Sequence, residues 1–290
     1  MTPRDNRTYA VRPIQPDDDE ALRKFFNSPI NLHQHLDWHN ALERLAFRPF
    51  WLTEKNNSII AAFCSPIIQN KISWIQLFAV KKLLSTTRLW QNLFNEFLTY
   101  CAQNRSLVTI YSLAYYAWYL RLLESSNFLP LTSIVTLEND GMYSPNRSSL
   151  SSNYRIEPIT YLNYPLAYDL DCLSFDLPWQ MTSAALHKAF RSSIYATLIF
   201  DDDKPVGYQI TTEGDQSLHL ARIAVDPAYQ NKGIGTHLIN NLFNFMKQAR
   251  YHNISVNTQS NNQASLALYR KMGFFKTGNQ IPVMVYNMED

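Results

Sequence analysis

Short segments of this sequence recur at a nearly constant interval, and that recurrence limits what the chain can fold into more than any other feature. Tyr9-Ala10-Val11-Arg12-Pro13-Ile14 is echoed 145 positions later by Tyr154-Arg155-Ile156-Glu157-Pro158-Ile159. The same interval sets Phe78-Ala79-Val80 against Ile223-Ala224-Val225, and an interval of 146 sets Leu123-Glu124-Ser125-Ser126-Asn127-Phe128 against Tyr269-Arg270-Lys271-Met272-Gly273-Phe274. Three anchors in the same order predict a duplicated domain. The two copies are expected at 1–145 and 154–290, with a linker in Tyr143–Asn153, where serine, proline and asparagine crowd together.

Each copy reads as strand, helical pair, hairpin, strand, helix, strand, helix and closing strands, an alternation that predicts an α+β sandwich: a mixed sheet flanked by helices. In the second copy, Tyr195–Phe200 and Val206–Thr212 are β-rich runs around the turn-forming Asp201-Asp202-Asp203-Lys204-Pro205. Ser217–Val225 forms the next strand. Leu238, Ile239, Leu242, Phe243, Met246 and Ala249 then recur at helical spacing, which predicts a helix that buries one stripe against the sheet. Ile254–Asn257 is a short strand, Ser260 to Asn262 offer helix caps, and Gly273 stands where a helix C-terminal glycine belongs.

The charge balance, 26 basic against 24 acidic residues, gives neither nucleic acid nor an anionic membrane an electrostatic footprint. No segment approaches the roughly 18 apolar residues of a membrane span, and no signal-like apolar run opens the chain. Three widely spaced cysteines, Cys64, Cys101 and Cys172, form no CxxC pair and fit a reducing compartment. The expectation is a soluble cytoplasmic protein with neither nucleic-acid nor membrane partners; its oligomeric state is open. His33, His35 and His39 share no single helix face and have no cysteine nearby, so no metal site is expected.

Only seven glycines occur in 290 residues, so those present mark places where the backbone requires them. Gly233 and Gly235 lie in Gln230-Asn231-Lys232-Gly233-Ile234-Gly235-Thr236, between an apolar strand and an amphipathic helix. The first N–H groups of a helix lack intrahelical partners and sit at its positive dipole end, so glycines there admit a phosphate group to the backbone. Two common phosphate loops are excluded: the dinucleotide fingerprint needs glycine where Leu238 stands, and the Walker pattern needs lysine where Thr236 stands.

The run Ile223-Ala224-Val225-Asp226-Pro227-Ala228-Tyr229-Gln230-Asn231-Lys232-Gly233-Ile234-Gly235 resembles the acetyl-CoA signature of the GNAT superfamily, Arg/Gln-x-x-Gly-x-Gly/Ala. Asn262 to Phe274 resembles its second motif, Asn-x-x-Ala/Ser-x-x-Leu-Tyr-x-x-x-Gly-Phe. The resemblance covers Tyr154 to about Asn287, and the first half only in outline. It implies two tandem domains with largely antiparallel sheets, and an N-acetyltransferase that moves an acetyl group from acetyl-CoA, as co-substrate, directly to an amine. The acceptor is a small molecule or a peptide; a lysine and a protein N-terminus both remain open. It further implies that Gln230, Asn231, Lys232, Gly233, Ile234, Gly235 and Thr236 bind pyrophosphate, that Ile223, Ala224 and Val225 pair with the pantetheine arm, that Asn262 contacts the cofactor and that Tyr269 protonates the departing thiolate. A silent acyl-CoA-binding regulatory module is the alternative.

A base must deprotonate the amine. His219 resembles, by its distance from the glycine loop, a position that carries Glu or His in several family members, and strict alternation puts it on one face with Ala221, Ile223 and Val225. Glu213 is a second candidate. Relatives that acetylate ribosomal-protein N-termini carry glutamate where this chain has Asn257, which accepts no proton. The first copy has no glycine in Lys81–Trp90, the stretch that follows Val80, and it has Leu123 in place of the tyrosine and Asn127 in place of the helix-ending glycine. It is expected to keep the fold and to have lost the cofactor. The acceptor is expected to enter near Leu173–Leu186, past Phe175, Trp179 and Met181.

Overall fold

The computed structural model describes residues 9–69, 71–141, 154–214 and 217–288. The chain forms two compact units, and they do not follow chain order: one comprises 1–131 with 281–290, the other 132–280. The linker expected at Tyr143–Asn153 lies outside the described residues, and the units differ from 1–145 and 154–290 because the closing strand of each half pairs within the other half's unit.

The first unit runs β1 (Ala10–Pro13), α1 (Asp19–Phe26), β2 (Ile30–Gln34), β3 (Phe50–Lys55), β4 (Ser58–Cys64), β5 (Ile67–Ile68), β6 (Ile72–Trp74), β7 (Leu77–Lys81), α2 (Thr86–Gln103), β8 (Thr109–Leu113) and α3 (Ala117–Ser125). Its main sheet has the order β1-β3-β4-β7-β2. β9 (Leu129–Asn139) then leaves to pair in the second unit, and Val283–Asn287, from the last strand of the chain, lie antiparallel to β8. Trp51, Phe63, Phe78, Trp90, Phe97 and Tyr119 fill the core under α2 and α3. Leu22, Phe25, Leu52 and Ala79 fill the core under α1.

The expected second helix of the helical pair is absent from this unit. Ile30–Gln34 instead extends along β7, Ile30 opposite Lys81 through Gln34 opposite Leu77. The backbone donors and acceptors that a helix would satisfy internally are satisfied on that sheet edge. By the internal repeat, Phe78-Ala79-Val80 of β7 is the counterpart of Ile223-Ala224-Val225, so in this unit a strand of the chain covers the corresponding edge.

The strand carries a buried polar group. His33 is buried with its ring stacked on Tyr119, centroids 3.9 Å apart. The His35 ring is enclosed beside Trp74, and both histidines have a buried Nδ1 without a partner. Arg44, wholly buried, binds Asp37 at 2.6 Å and the carbonyls of His35 and His39 at 2.8 and 2.9 Å. Among the described residues no three His, Cys, Asp or Glu side chains are placed to hold a metal ion, and no helix is long and apolar enough to cross a membrane. Of the aromatic residues at the start of α3, Tyr119 is core, Trp118 packs against it and Tyr116 is exposed.

Burial lowers His33 to about 3 and His35 to about 4. In the unfolded chain both protonate near 6.5, so the unfolded state binds more protons below that value, and the stability present above it is lost as pH falls. Two such groups remove up to about 4 kcal/mol between pH 7 and pH 5. Urea midpoints for the first unit are expected to fall over that interval, and by about half as much in a His35→Phe variant. An unchanged midpoint would show that these rings are not held neutral.

The second unit is built from β10 (Tyr154–Pro158), α4 (Tyr164–Ser174), α5 (Ser183–Arg191), β11 (Ser193–Asp201), β12 (Lys204–Glu213), β13 (Ser217–Val225), α6 (Ile234–Ala249), β14 (Asn253–Gln259), α7 (Gln263–Lys271) and most of β15 (Phe275–Asn287). Its strand order begins β10-β11-β12-β13-β14-β9, antiparallel except for the parallel pair β13 and β14. The stripe of α6 packs with α7 on Leu218, Leu220 and Val256. Ala249 alone of the predicted stripe is exposed, because α6 ends there and the chain turns through Arg250 in the left-handed region.

Candidate active site

β13 and β14 part company midway. Their pairing runs from Ser217 opposite Asn253 to Leu220 opposite Val256 and stops, although β13 continues to Val225 and β14 to Gln259. A β-bulge accompanies the parting: Ile210 of β12 faces Arg222 and Thr211 faces Leu220, which leaves Ala221 unpaired. One extra residue reverses the alternation of side chains beyond it. Leu218 and Leu220 therefore share the α6 side with Ile223 and Val225, and His219 does not. The expectation that His219, Ala221, Ile223 and Val225 share a face is corrected by this bulge.

Past the bulge, Asp226 donates its amide to Val206 of the preceding segment at 2.9 Å. Successive strand residues turn their amides to opposite sides, so Ile223 and Val225 present their N–H groups to the open side. Ala224 turns its carbonyl inward, where a Cβ on Gly207 would meet it at 2.9 Å. The open edge is thus two backbone donors in line, leading to the glycine loop.

The loop takes the shape its glycines permit. Asn231 has φ of 62°, and Gly233 caps α6 with φ of 84°, in the left-handed region that side chains other than Asn and Gly resist. Ile234 and Thr236 are buried and anchor the first turn, while Gln230, Asn231 and Lys232 are exposed. Among the described residues, none of the amides from Asn231 through Thr236 has a hydrogen-bond partner. Gly235 lies against α7, where an added Cβ would stand 3.0 Å from Leu268 Cδ2. Lys232 lies over the Tyr229 ring at 4.4 Å, with Lys204 at 4.6 Å.

α7 completes that side. Asn262 caps it, its Oδ1 accepting from the Ser265 amide at 3.1 Å, with Nδ2 directed at Gln259 at 3.4 Å. Gly273 follows with φ of 79°. One helix turn before it, the Tyr269 ring is buried against Phe274, while its hydroxyl has no partner among the described residues. Burial pushes the phenol well above its ordinary value, with Arg222 opposing, so it stays protonated across the neutral range.

On the opposite face, His219 is largely buried, its Nδ1 2.8 Å from Ser255 Oγ, and burial lowers its pKa. Glu213 is exposed and accepts from the Tyr251 hydroxyl. Asn257 is exposed and accepts from Thr136 at 2.9 Å.

Residues 164–274 match the model of the acetyltransferase (GNAT) family, over the bulged strand, the glycine loop and α7. This segment matches the GNAT acetyltransferase family. The ribosomal protein bS18-alanine N-acetyltransferase of Escherichia coli is 25% identical over 119 residues, 41% of this chain and 79% of that protein. The N-alpha-acetyltransferase RimI of Mycobacterium tuberculosis is 45% identical over 56 residues, 19% of this chain and 34% of that one. A tandem GNAT protein from the clavulanic acid biosynthesis pathway shares the fold across 98% of this chain and 100% of its own, with a TM-score of 0.64 at 12% identity. A GCN5-related N-acetyltransferase from Sphaerobacter thermophilus does so across 97% and 96%, with a TM-score of 0.61 at 14% identity. Both halves of the chain therefore carry GNAT-like folds.

The GNAT unit also contains a buried network absent from the sequence reading. Asp171 on α4, fully buried, accepts from Arg222 Nε at 2.7 Å and Nη2 at 2.9 Å, and from the Tyr208 hydroxyl. Arg222 also donates to the Trp179 carbonyl at 2.7 Å and stacks on Phe175 at 3.5 Å. The segment expected to admit the acceptor is thereby fastened to β13 beside the bulge. A carboxylate at the buried i+4 position after Ala167, next to Leu170, was the available signal, since such a group needs a partner.

Proposed function

We propose that the second unit transfers an acetyl group from acetyl-CoA to a primary amine, and that the acceptor is the N-terminus of a peptide. The observation that carries this reading is the pair of outward backbone donors at Ile223 and Val225 followed, beyond the turn at Asp226–Gln230, by the unpaired amides of Asn231–Thr236. An extended pantetheine amide chain completes an interrupted sheet edge, and the pyrophosphate it carries meets the positive end of α6. Gln230, Lys232 and Thr236 flank that anion, and Asn262 offers it the amide hydrogen that capping leaves.

The thioester then lies where β13 and β14 separate, with its carbonyl oxygen toward the Ile223 amide, which stabilises the oxyanion. The neutral amine attacks the carbonyl carbon as its proton passes to His219 Nε2; the carbon–sulfur bond breaks, and the thiolate takes the Tyr269 proton. A phenol held protonated by burial suits donation to a thiolate in the same dry site. The first unit binds no acetyl-CoA on this reading: side chains occupy its loop, and β2 occupies the edge that pantetheine needs.

The peptide acceptor draws on the alanine N-acetyltransferase and the N-alpha-acetyltransferase among the relatives. With acetyl-CoA, a peptide with a free N-terminal alanine is expected to release coenzyme A thiol, and the same peptide with a blocked N-terminus and a free lysine is not. Turnover confined to the lysine peptide would overturn the acceptor assignment.

A further inference from the structure

The strand that the first half gives up, β9, brings a carboxylate to the face that carries His219. Thr212 on β12, His219 on β13, Ser255 on β14 and Glu138 on β9 stand opposite one another in a single row across four strands. Directly opposed residues on neighbouring strands hold their side chains on one face with Cβ atoms about 5 Å apart. The His219 to Ser255 contact of 2.8 Å and the Thr136 to Asn257 contact of 2.9 Å in the next row show that side chains do meet across these pairs. Glu138 itself is exposed.

We infer that Glu138, acting through Ser255, is the positioning residue for His219 and its outlet for the proton. This rests on His219 as the base. A neutral imidazole serves as base at Nε2 only when its hydrogen sits on Nδ1. Ser255 Oγ selects that tautomer if it accepts from Nδ1, and it is free to do so when its own hydrogen is given to a carboxylate across the strand. Asn257, an amide that takes no proton, meets Thr136 across the strands, whereas Glu138 lies two residues along β9 from Thr136, opposite Ser255. After Nε2 takes the amine proton, Nδ1 passes its proton to Ser255 Oγ, Ser255 passes its own to the Glu138 carboxylate, and solvent collects it there; exchange with solvent then returns the imidazole hydrogen from Nε2 to Nδ1 before the next turnover. No bond other than N–H and O–H changes in the relay.

The other charged groups on the strands beside His219 and on α4 are Lys204 and Glu213 on β12, Arg222 on β13, and Asp169 and Asp171 on α4, the last bound to Arg222. None stands opposite Ser255.

The test is the pH dependence of kcat/KM, with thermal melting as a control on folding. Because Glu138 favours the charged imidazolium, Glu138→Gln and Ser255→Ala are expected to move the rising limb to lower pH and to lower the plateau of kcat roughly tenfold, with KM for acetyl-CoA unchanged. Glu138→Asp is expected to recover part of the rate. A slow His219→Gln enzyme beside a Glu138→Gln enzyme with the wild-type limb and plateau overturns the relay and leaves the base assignment standing. A His219→Gln enzyme of full activity overturns both.

Discussion

Gly235→Trp is expected to weaken acetyl-CoA binding at least ~100-fold, or about 2.7 kcal/mol, while the unit stays folded. Only 3.0 Å separates an added Cβ from Leu268, so an indole cannot turn toward α7. It must turn outward, over the amides of the first turn of α6, where the anion would lie. The substitution removes approach to those donors and leaves the donors themselves in place, which separates loss of a site from loss of a helix. Titration calorimetry reads the affinity, and a melting temperature within a few degrees of wild type confirms the fold. Wild-type affinity in this variant would mean that the loop is a bare turn.

Tyr269→Phe is expected to lower kcat roughly 10²- to 10³-fold with little change in KM for acetyl-CoA, the signature of a proton donor used only as the carbon–sulfur bond breaks. The hydroxyl has no partner among the described residues, so its removal strands no buried group, and the ring that packs against Phe274 is kept. Stability should hardly change. An acetyl thioester whose thiol has a much lower pKa needs less help to depart and should recover most of the lost rate in the variant. A variant with wild-type kcat would assign Tyr269 to the core alone.

What the residues disclosed before any coordinates were those features whose cause is local. Gly233 and Gly235 are legible because a left-handed cap and a close helix contact both favour a residue without a side chain. Asn262 and Gly273 are legible because they begin and end one helix. The bulge at Ala221 is not, since it is a count of two residues against one on β12, and the count exists only once the pairing does. The same holds for β2, whose backbone partners lie on β7, and for β9, whose partner lies more than a hundred residues away. Asp171 and Arg222 stand fifty-one positions apart and became a pair only when α4 was laid on β13.

Proteins leave the ribosome amino terminus first, and this one's interleaved units put that direction at odds with completion. The strand β8 emerges early, yet the segment that covers one of its edges, Val283–Asn287, is translated some hundred and seventy residues later. Through most of synthesis that edge stays bare, the condition under which nascent chains add to one another strand by strand. Neither half is therefore a portable module: a gene cut between β9 and β10 yields two fragments, each missing the strand that the other carries away.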